Sequence, residues 1–370
     1  MRKESFVSLA LILVLTACGG GGASSAPTVS TPAPAPTPTP TPAPTPTPTP
    51  TFPYAPALAA RSTVGPTLPV GRCVNMGNQL DAPNEGDLGR KILDSDFSFI
   101  KAGGFDTVRL PVRFSGHAGT TAPYQIDATF MARVQQVVSL ATGAGLNVII
   151  DMHHYDEINT SPTANTDRFV AMWRQIAQTF AGAPDTVWFE LLNEPNINLT
   201  NSNLLTIYRP ALAAIRETNA TRPVIIGGGN TSQVSSLATL QMPDDPYVVP
   251  TFHYYDPFNF THQGAEYITP TPPLGATFGS AADYAQLDAN LQLVKNYIAR
   301  TGRVPFVGEY GAIQYIATSD RAKYYGTVSN AFASIGIQSC AWSYTNTFNL
   351  RTDSGWITEI TSVIATTIGK

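Results

Sequence analysis

The chain has 370 residues and a formal net charge of −4, and only 13% of its residues are charged, well below the roughly 25% usual in soluble domains. It has no block of Lys or Arg, which argues against a nucleic-acid partner and makes a neutral ligand easier to accommodate. The first seventy or so residues do not read as globular, and the rest suits one large domain or two small ones.

Arg2 and Lys3 precede an apolar run from Phe6 to Leu15. The run is shorter than the ~20 residues that span a bilayer and has the form of a secretory signal. It ends Leu15-Thr16-Ala17-Cys18-Gly19, which resembles the lipobox of bacterial lipoproteins. That resemblance implies a signal peptide over 1–17 and a diacylglyceryl group on the Cys18 thiol, anchoring the mature chain to a membrane. Gly19 after the cysteine implies the outer membrane, in an organism that has one. From Pro27 to Pro53 the sequence is almost wholly Pro, Thr and Ala. Alternating proline removes backbone donors and fixes φ. Residues 18–60 are therefore expected to be a disordered, extended spacer of about 3 Å per residue.

Over 61–370, strand-like and helix-like segments alternate. Short apolar runs predict strands at Cys73–Gly77, Thr107–Val112, Asn147–Asp151, Thr186–Asn193, Val224–Gly228, Val248–His253, Val304–Glu309 and Gln338–Ser343. Helical spacing of apolar residues predicts helices at Phe130–Thr142, Arg168–Phe180, Leu204–Thr218, Tyr284–Arg300 and Ala322–Ser334, with the fifth intervening helix weak. Eight strands with helices between them, in one domain of this size, predict a (β/α)₈ barrel behind the signal peptide and linker. A doubly wound open sheet fits the same string, but it does not explain where the polar residues fall.

Those residues gather at strand ends. The second strand offers Arg109, the third ends at His153 and His154, and the fourth ends at Asn193 and Glu194. The sixth ends at His253 and Tyr255, the seventh at Glu309 and the eighth at Trp342. Taken singly, most have a structural explanation. In a (β/α)₈ barrel, however, the C-terminal strand ends converge on one mouth where active sites are built, so residues spread over two hundred positions meet in one pocket.

The chemistry available there is narrow. His153 and His154 are adjacent, so on a strand they would point apart, and no HExxH or CxxC spacing is present; no metal or cofactor is expected. Gly227-Gly228-Gly229 lacks the Lys and Ser/Thr of a phosphate cradle. What remains is a carboxylate pair with amide and aromatic company, the equipment of glycoside hydrolysis. Glu190 shares strand parity with Glu194 but lies four residues back, roughly 13 Å down the strand. It reads as a buried structural carboxylate in need of a partner, and Asp151 falls in the same polar layer.

Five motifs then stand in order: VNMGNQLDAPNEG, the HH of strand three, LLNEPN, HYYDPFNFTHQG and VGEYG. From about Gly71 to the C-terminus the chain resembles glycoside hydrolase family 5, the cellulase family, with Met76 where the family often has Leu. The resemblance implies a retaining two-carboxylate mechanism, with Glu194 as acid/base and Glu309 as nucleophile. It implies Arg109 and Tyr255 as partners of Glu309, Asn193 on the sugar 2-hydroxyl, and His153 as a site histidine. His154 and His253 would touch sugar or support these groups, and Trp342 would stack on a pyranose ring. The expected activity is that of a monomeric endo-β-1,4-glucanase. Mannan, xyloglucan and mixed-linkage glucan are alternatives, as is a non-catalytic glycan-binding lipoprotein. With Cys18 lipidated, Cys73 and Cys340 fall on neighbouring strands and are expected as two buried thiols, since adjacent parallel strands seldom offer disulfide geometry, with a disulfide between them as the alternative. Trp173 and Trp188 read as core, and Tyr155, Phe258 and Asn346 as loop residues for binding sugar.

Overall fold

The computed structural model describes residues 51–369. The apolar run Phe6–Leu15, Cys18 and nearly all of the Pro-Thr segment lie outside them. Eight parallel strands close into a barrel in sequence order: β1 Arg72–Asn75, β2 Thr107–Val112, β3 Asn147–Met152, β4 Val187–Glu190, β5 Val224–Ile226, β6 Val248–Tyr254, β7 Phe306–Tyr310 and β8 Ser339–Ala341. β8 pairs with β1 to complete the ring. The expected (β/α)₈ fold is the observed one.

The strands are buried on both faces, as parallel strands covered by helices must be. The helices expected from periodicity are present as Ala128–Gly143, Pro162–Thr179, Leu204–Arg216, Ala281–Thr301 and Thr318–Ala333. After β5 the connection is only a 3₁₀ turn, Val234–Ala238, where the sequence carried a weak helical signal. Among the described residues, no helix is long and apolar enough to cross a membrane.

Two apolar regions hold the barrel. The larger lies between strands and helices. The smaller fills the lower barrel interior with Leu68, Val70, Cys73, Ile149, Trp188, Ile225, Val249, Phe306 and Cys340. Trp188 is thus core, as expected, but it faces the barrel axis. The same parity carries Glu190 inward one layer higher.

Two expectations need correction. Cys73 and Cys340 are joined by a disulfide, not left as thiols. Their residues are direct register partners across β1 and β8, a juxtaposition that strand adjacency alone does not reveal. The segment expected as linker up to residue 60 is bound to the barrel from Phe52 onward. The Phe52 ring lies against helix residue Gly326, where a Cβ would be 2.1 Å from it. The Tyr54 hydroxyl donates to Asp288 at 2.9 Å, and the Ala57 and Ala60 amides donate to the carbonyls of Ala333 and Gly336. Phe52 and Tyr54 supply apolar surface that the Thr-Pro repeats lack.

The disulfide ties the last strand to the first across 267 residues, so its removal frees a long loop in the unfolded chain. Cys340→Ala with Cys73→Ala is expected to lower stability by about 2–5 kcal/mol, measured by urea denaturation. An unchanged midpoint would remove the disulfide from the stability account.

Candidate active site

The mouth of the barrel is organised by one cation. Arg109, fully buried on β2, directs its Nε and Nη2 to the two oxygens of Glu190 at 2.8 and 2.9 Å. Its Nη1 donates to Glu309 Oε1 at 2.7 Å and to Asn75 Oδ1 at 2.9 Å. Its Nη2 also donates to Asn193 Oδ1 at 2.8 Å and lies 3.1 Å from Asp151 Oδ2. Three carboxylates thus share one guanidinium, whose planar fork of five donors can serve several acceptors at once. Glu190 therefore has the partner that its burial requires, and Asp151 belongs to the same layer.

Glu309 is held at both oxygens, by Arg109 on Oε1 and by the Tyr255 hydroxyl on Oε2 at 2.9 Å. Burial pushes its carboxyl up, but His253, Arg109, His153 and the Tyr255 hydrogen bond outweigh this and hold it at about 2. It is a carboxylate throughout the physiological range. Burial and the adjacent carboxylates push the Tyr255 phenol well above its usual value, so it stays a donor. Tyr255→Phe removes that donor and is expected to lower turnover roughly tenfold while the fold persists. Steady-state rates with a melting curve check this, and unchanged turnover would show that Tyr255 is not needed to orient Glu309.

Glu194 follows the end of β4 by four residues and is the wetter of the pair, with its side chain 32% exposed against 5% for Glu309. His253 Nδ1 donates to Glu194 Oε1 at 2.8 Å and lies 3.7 Å from Glu309 Oε2. Ligand atoms of Glu194, His253 and Glu309 fall within 4.8 Å of one another. A register shift in the β6–β7 ladder sets His253 opposite Glu309. Burial lowers the His253 pKa, but Glu309 and Glu194 raise it above the ordinary value overall. The histidine therefore links the two carboxylates electrostatically.

His153 lies just past β3, with Nδ1 2.6 Å from Asp151 Oδ2 and Nε2 3.3 Å from Asn193 Nδ2. Burial pushes its imidazole down to about 4, so it is neutral. The argument that His153 and His154 point apart by strand alternation does not apply. β3 ends at Met152, His154 has φ of 52°, and the two rings meet edge-on at 4.3 Å. Asp81, His153 and His154 also bring ligand atoms within 4.8 Å of one another, but both His153 nitrogens are engaged with Asp151 and Asn193.

These groups open into a cleft of about 460 Å³ that is also lined by Asn346, Phe348, His262 and Tyr267. The Trp342 ring lies nearly parallel to His153, with centroids 5.8 Å apart. Gly77 leaves room for it, because a Cβ there would come within 2.4 Å of the indole. A second chamber of about 290 Å³ shares Glu194, Tyr255, His262 and Tyr267 with it and is also lined by Thr231, Gln233, Phe258 and Ile268. The cleft brings together Glu194, Glu309, His153, His154, Asn193, Tyr255 and Trp342, with His253 lining the adjoining chamber and Arg109 beneath them. Tyr155 is a correction: it is 1% exposed, packs at a tilt against Phe169 with Arg168 over its ring, and does not line the cleft. Trp173 is core.

Sequence reasoning passed over Asn75, Asn78, Asp81, His262 and Tyr267. Asn75 bridges Arg109 to the β7 and β8 carbonyls of Gly308, Cys340 and Ala341. Asp81 accepts the amides of Asn78 and Gln79 and so shapes the loop after β1. All five stand inside or close to the motifs already noted, VNMGNQLDAPNEG and HYYDPFNFTHQG, which held the usable signal.

Residues 76–348 match the cellulase family, glycosyl hydrolase family 5. Endoglucanase H of Acetivibrio thermocellus is 36% identical over 273 residues, covering 74% of this chain and 29% of that protein. Endoglucanase B of Clostridium cellulovorans is 31% identical over 275 residues, covering 68% and 61%. The chain therefore spans less than two thirds of the length of either relative. Among solved structures, a hyperthermophilic endo-β-1,4-glucanase in complex with substrate superposes with a TM-score of 0.78 at 37% identity, covering 80% of this chain and 96% of that one. Thermotoga maritima Cel5A in complex with mannotriose gives a TM-score of 0.78 at 34% identity, covering 80% and 97%. With its barrel, its carboxylate pair and these relatives, the chain belongs to the cellulase family of glycosyl hydrolases, family 5.

Proposed function

We propose that the protein is a retaining endo-β-1,4-glucanase in which Glu309 is the nucleophile and Glu194 the acid/base. The observation that carries this reading is the asymmetry of the pair. Glu309 is buried, fixed at both oxygens and held ionised, whereas Glu194 is partly exposed between two chambers of the cleft. The close approach of their oxygens, within 4.8 Å, suits direct attack by a carboxylate. Inverting enzymes leave about 6.5–9.5 Å for a water.

In the first step Glu309 attacks the anomeric carbon while Glu194 gives its proton to the departing oxygen. In the second, Glu194 takes a proton from the water that releases the sugar from Glu309. Asn193 presents its amide to the 2-hydroxyl, a contact that strengthens as positive charge develops on the ring. Trp342 offers a flat face to one pyranose ring. The reaction calls for no cofactor.

β-Mannan is a second reading, favoured by the mannotriose complex of the Thermotoga maritima relative. A panel of β-1,4-glucan, mannan, xyloglucan and mixed-linkage glucan, followed by viscosity and reducing ends together, separates them. An endo-glucanase lowers glucan viscosity early, with few new ends. Preference for mannan would move the substrate assignment, and no cleavage of any β-glycan would leave a glycan-binding barrel.

The proposal extends to location. Residues 1–17 act as a lipoprotein signal peptide, Cys18 carries the lipid, and the Pro-Thr segment holds a monomeric barrel away from the outer membrane. The support is sequence alone: the short apolar run, the Leu15–Gly19 motif and the proline repeat. Cys18→Ser is expected to release the protein from the membrane fraction, and a variant that stays bound would overturn the anchor.

A further inference from the structure

Arg109 can only donate hydrogen bonds, and that fixes the polarity of the residues beyond it. Its Nη2 lies 2.8 Å from Asn193 Oδ1, so the Asn193 amide must present oxygen to Arg109 and nitrogen to its other side. There Nδ2 meets His153 Nε2 at 3.3 Å. A donor faces that ring nitrogen, so Nε2 must be the acceptor and the imidazole proton must sit on Nδ1. Nδ1 in turn lies 2.6 Å from Asp151 Oδ2, which has to accept.

We propose that Asp151 is a positioning residue for catalysis: it fixes the Nδ1–H tautomer of His153 and thereby the orientation of the Asn193 amide. The run Arg109, Asn193, His153, Asp151 is a relay with one allowed direction, and its two ends are 3.1 Å apart at Arg109 Nη2 and Asp151 Oδ2. Asp151 itself is fully buried on β3 and does not line the cleft, so it acts only through His153. Without its acceptor, His153 is free to carry its proton on Nε2. Two donors then oppose each other at Asn193, and the amide must either turn away from Arg109 or leave the sugar. The neutral state of His153 is consistent with the relay, which needs a lone pair on Nε2.

The inference deepens the two-carboxylate reading and rests on it for its kinetic consequence; the tautomer does not depend on that reading. Imidazole ¹⁵N spectra of the wild-type protein, with the His153 signals identified by their loss in His153→Asn, are expected to show Nδ1–H and an unprotonated Nε2. Asp151→Leu is expected to shift protonation to Nε2 and to lower kcat by about a hundredfold, with KM changed by less than about threefold. Asp151→Asn keeps an acceptor oxygen and is expected to retain both the Nδ1 proton and most of the activity. Because Asp151 works through Asn193, Asp151→Leu combined with Asn193→Ala should lose no more than Asn193→Ala alone. A wild-type His153 protonated on Nε2 or on both nitrogens would overturn the proposal, whatever the Asp151 variants do. Losses that multiply in the double variant would do the same.

Discussion

Glu309→Gln is expected to lower turnover on β-1,4-glucan by on the order of 10⁴-fold or more, with little change in binding of the polymer. An amide cannot form the glycosyl-enzyme bond; its oxygen can still accept from Arg109, while its NH2 takes the place of Oε2 and the Tyr255 hydroxyl turns to accept from it. The variant also reports on the charge cluster. A carboxyl held at about 2, below its unfolded value of roughly 4.3, stabilises the fold above that unfolded value. The stabilisation is lost as pH falls toward 2. Wild type should therefore lose more stability between pH 5 and pH 3 than Glu309→Gln does, by denaturant midpoints. Equal losses would mean that Glu309 is not the ionised anchor of the cluster, and substantial turnover in the variant would remove it as nucleophile.

Glu194→Gln should fail in a different way. With unactivated glucan, departure of the sugar needs the Glu194 proton, and a loss of roughly 10²–10⁴-fold is expected. An aryl cellobioside with an acidic phenol needs no such proton, so its first step should be nearly unaffected and the slow step becomes release from Glu309. Azide, which attacks without a general base, should then restore turnover and give a β-glycosyl azide. Equal losses on both substrates, with no response to azide, would take the acid/base role away from Glu194. The hydrogen bond from His253 Nδ1 survives in the amide variant, so these effects report chemistry and not collapse of the site.

Much of this arrangement was legible in the sequence because the barrel turns strand ends into neighbours. β2 was placed residue for residue at Thr107–Val112. Its run of β-branched and apolar residues is bounded by polar ones, and Arg109 inside it had to find counter-charges. The limits of β4 and β8 were read too long. Leu191 and Leu192 remain buried after the ladder ends at Glu190, and apolarity marks burial but not pairing. Register was not legible at all. Nothing in the sequence sets Cys73 opposite Cys340 or His253 opposite Glu309. Those pairings follow from the stagger of the closed sheet, and a bulge between Phe252 and His253 decides the second. Tyr155 was misplaced for a local reason. As a loop residue after a strand it reads as a cleft residue, but the chain turns into the helix Asp156–Thr160 directly after it and the ring is buried in the core.

The sharing of Arg109 among Glu190, Asp151 and Glu309 explains why the barrel interior tolerates so many carboxylates. Each is costly to bury alone, and a common cation, hydrogen-bonded to Glu190 and Glu309 and paired with Asp151, offsets much of that cost. Burial still raises Glu190, and it pushes Asp151 up to about 7, whereas Glu309 also has His253, His153 and Tyr255. Of the three, only Glu309 reaches the cleft. Arg109 and His253 keep Glu309 ionised, and Glu190 with Asp151 holds the guanidinium of Arg109 in place beneath it.

The most direct test is covalent capture of the intermediate. A 2-deoxy-2-fluoro-β-cellobioside with a dinitrophenyl leaving group slows the release step more than the attack, so the sugar should remain on the enzyme. Peptide mapping by mass spectrometry is expected to find the fluorocellobiosyl group on Glu309 alone. A label on Glu194, or no adduct together with a first-formed product of inverted configuration, would contradict the double-displacement account.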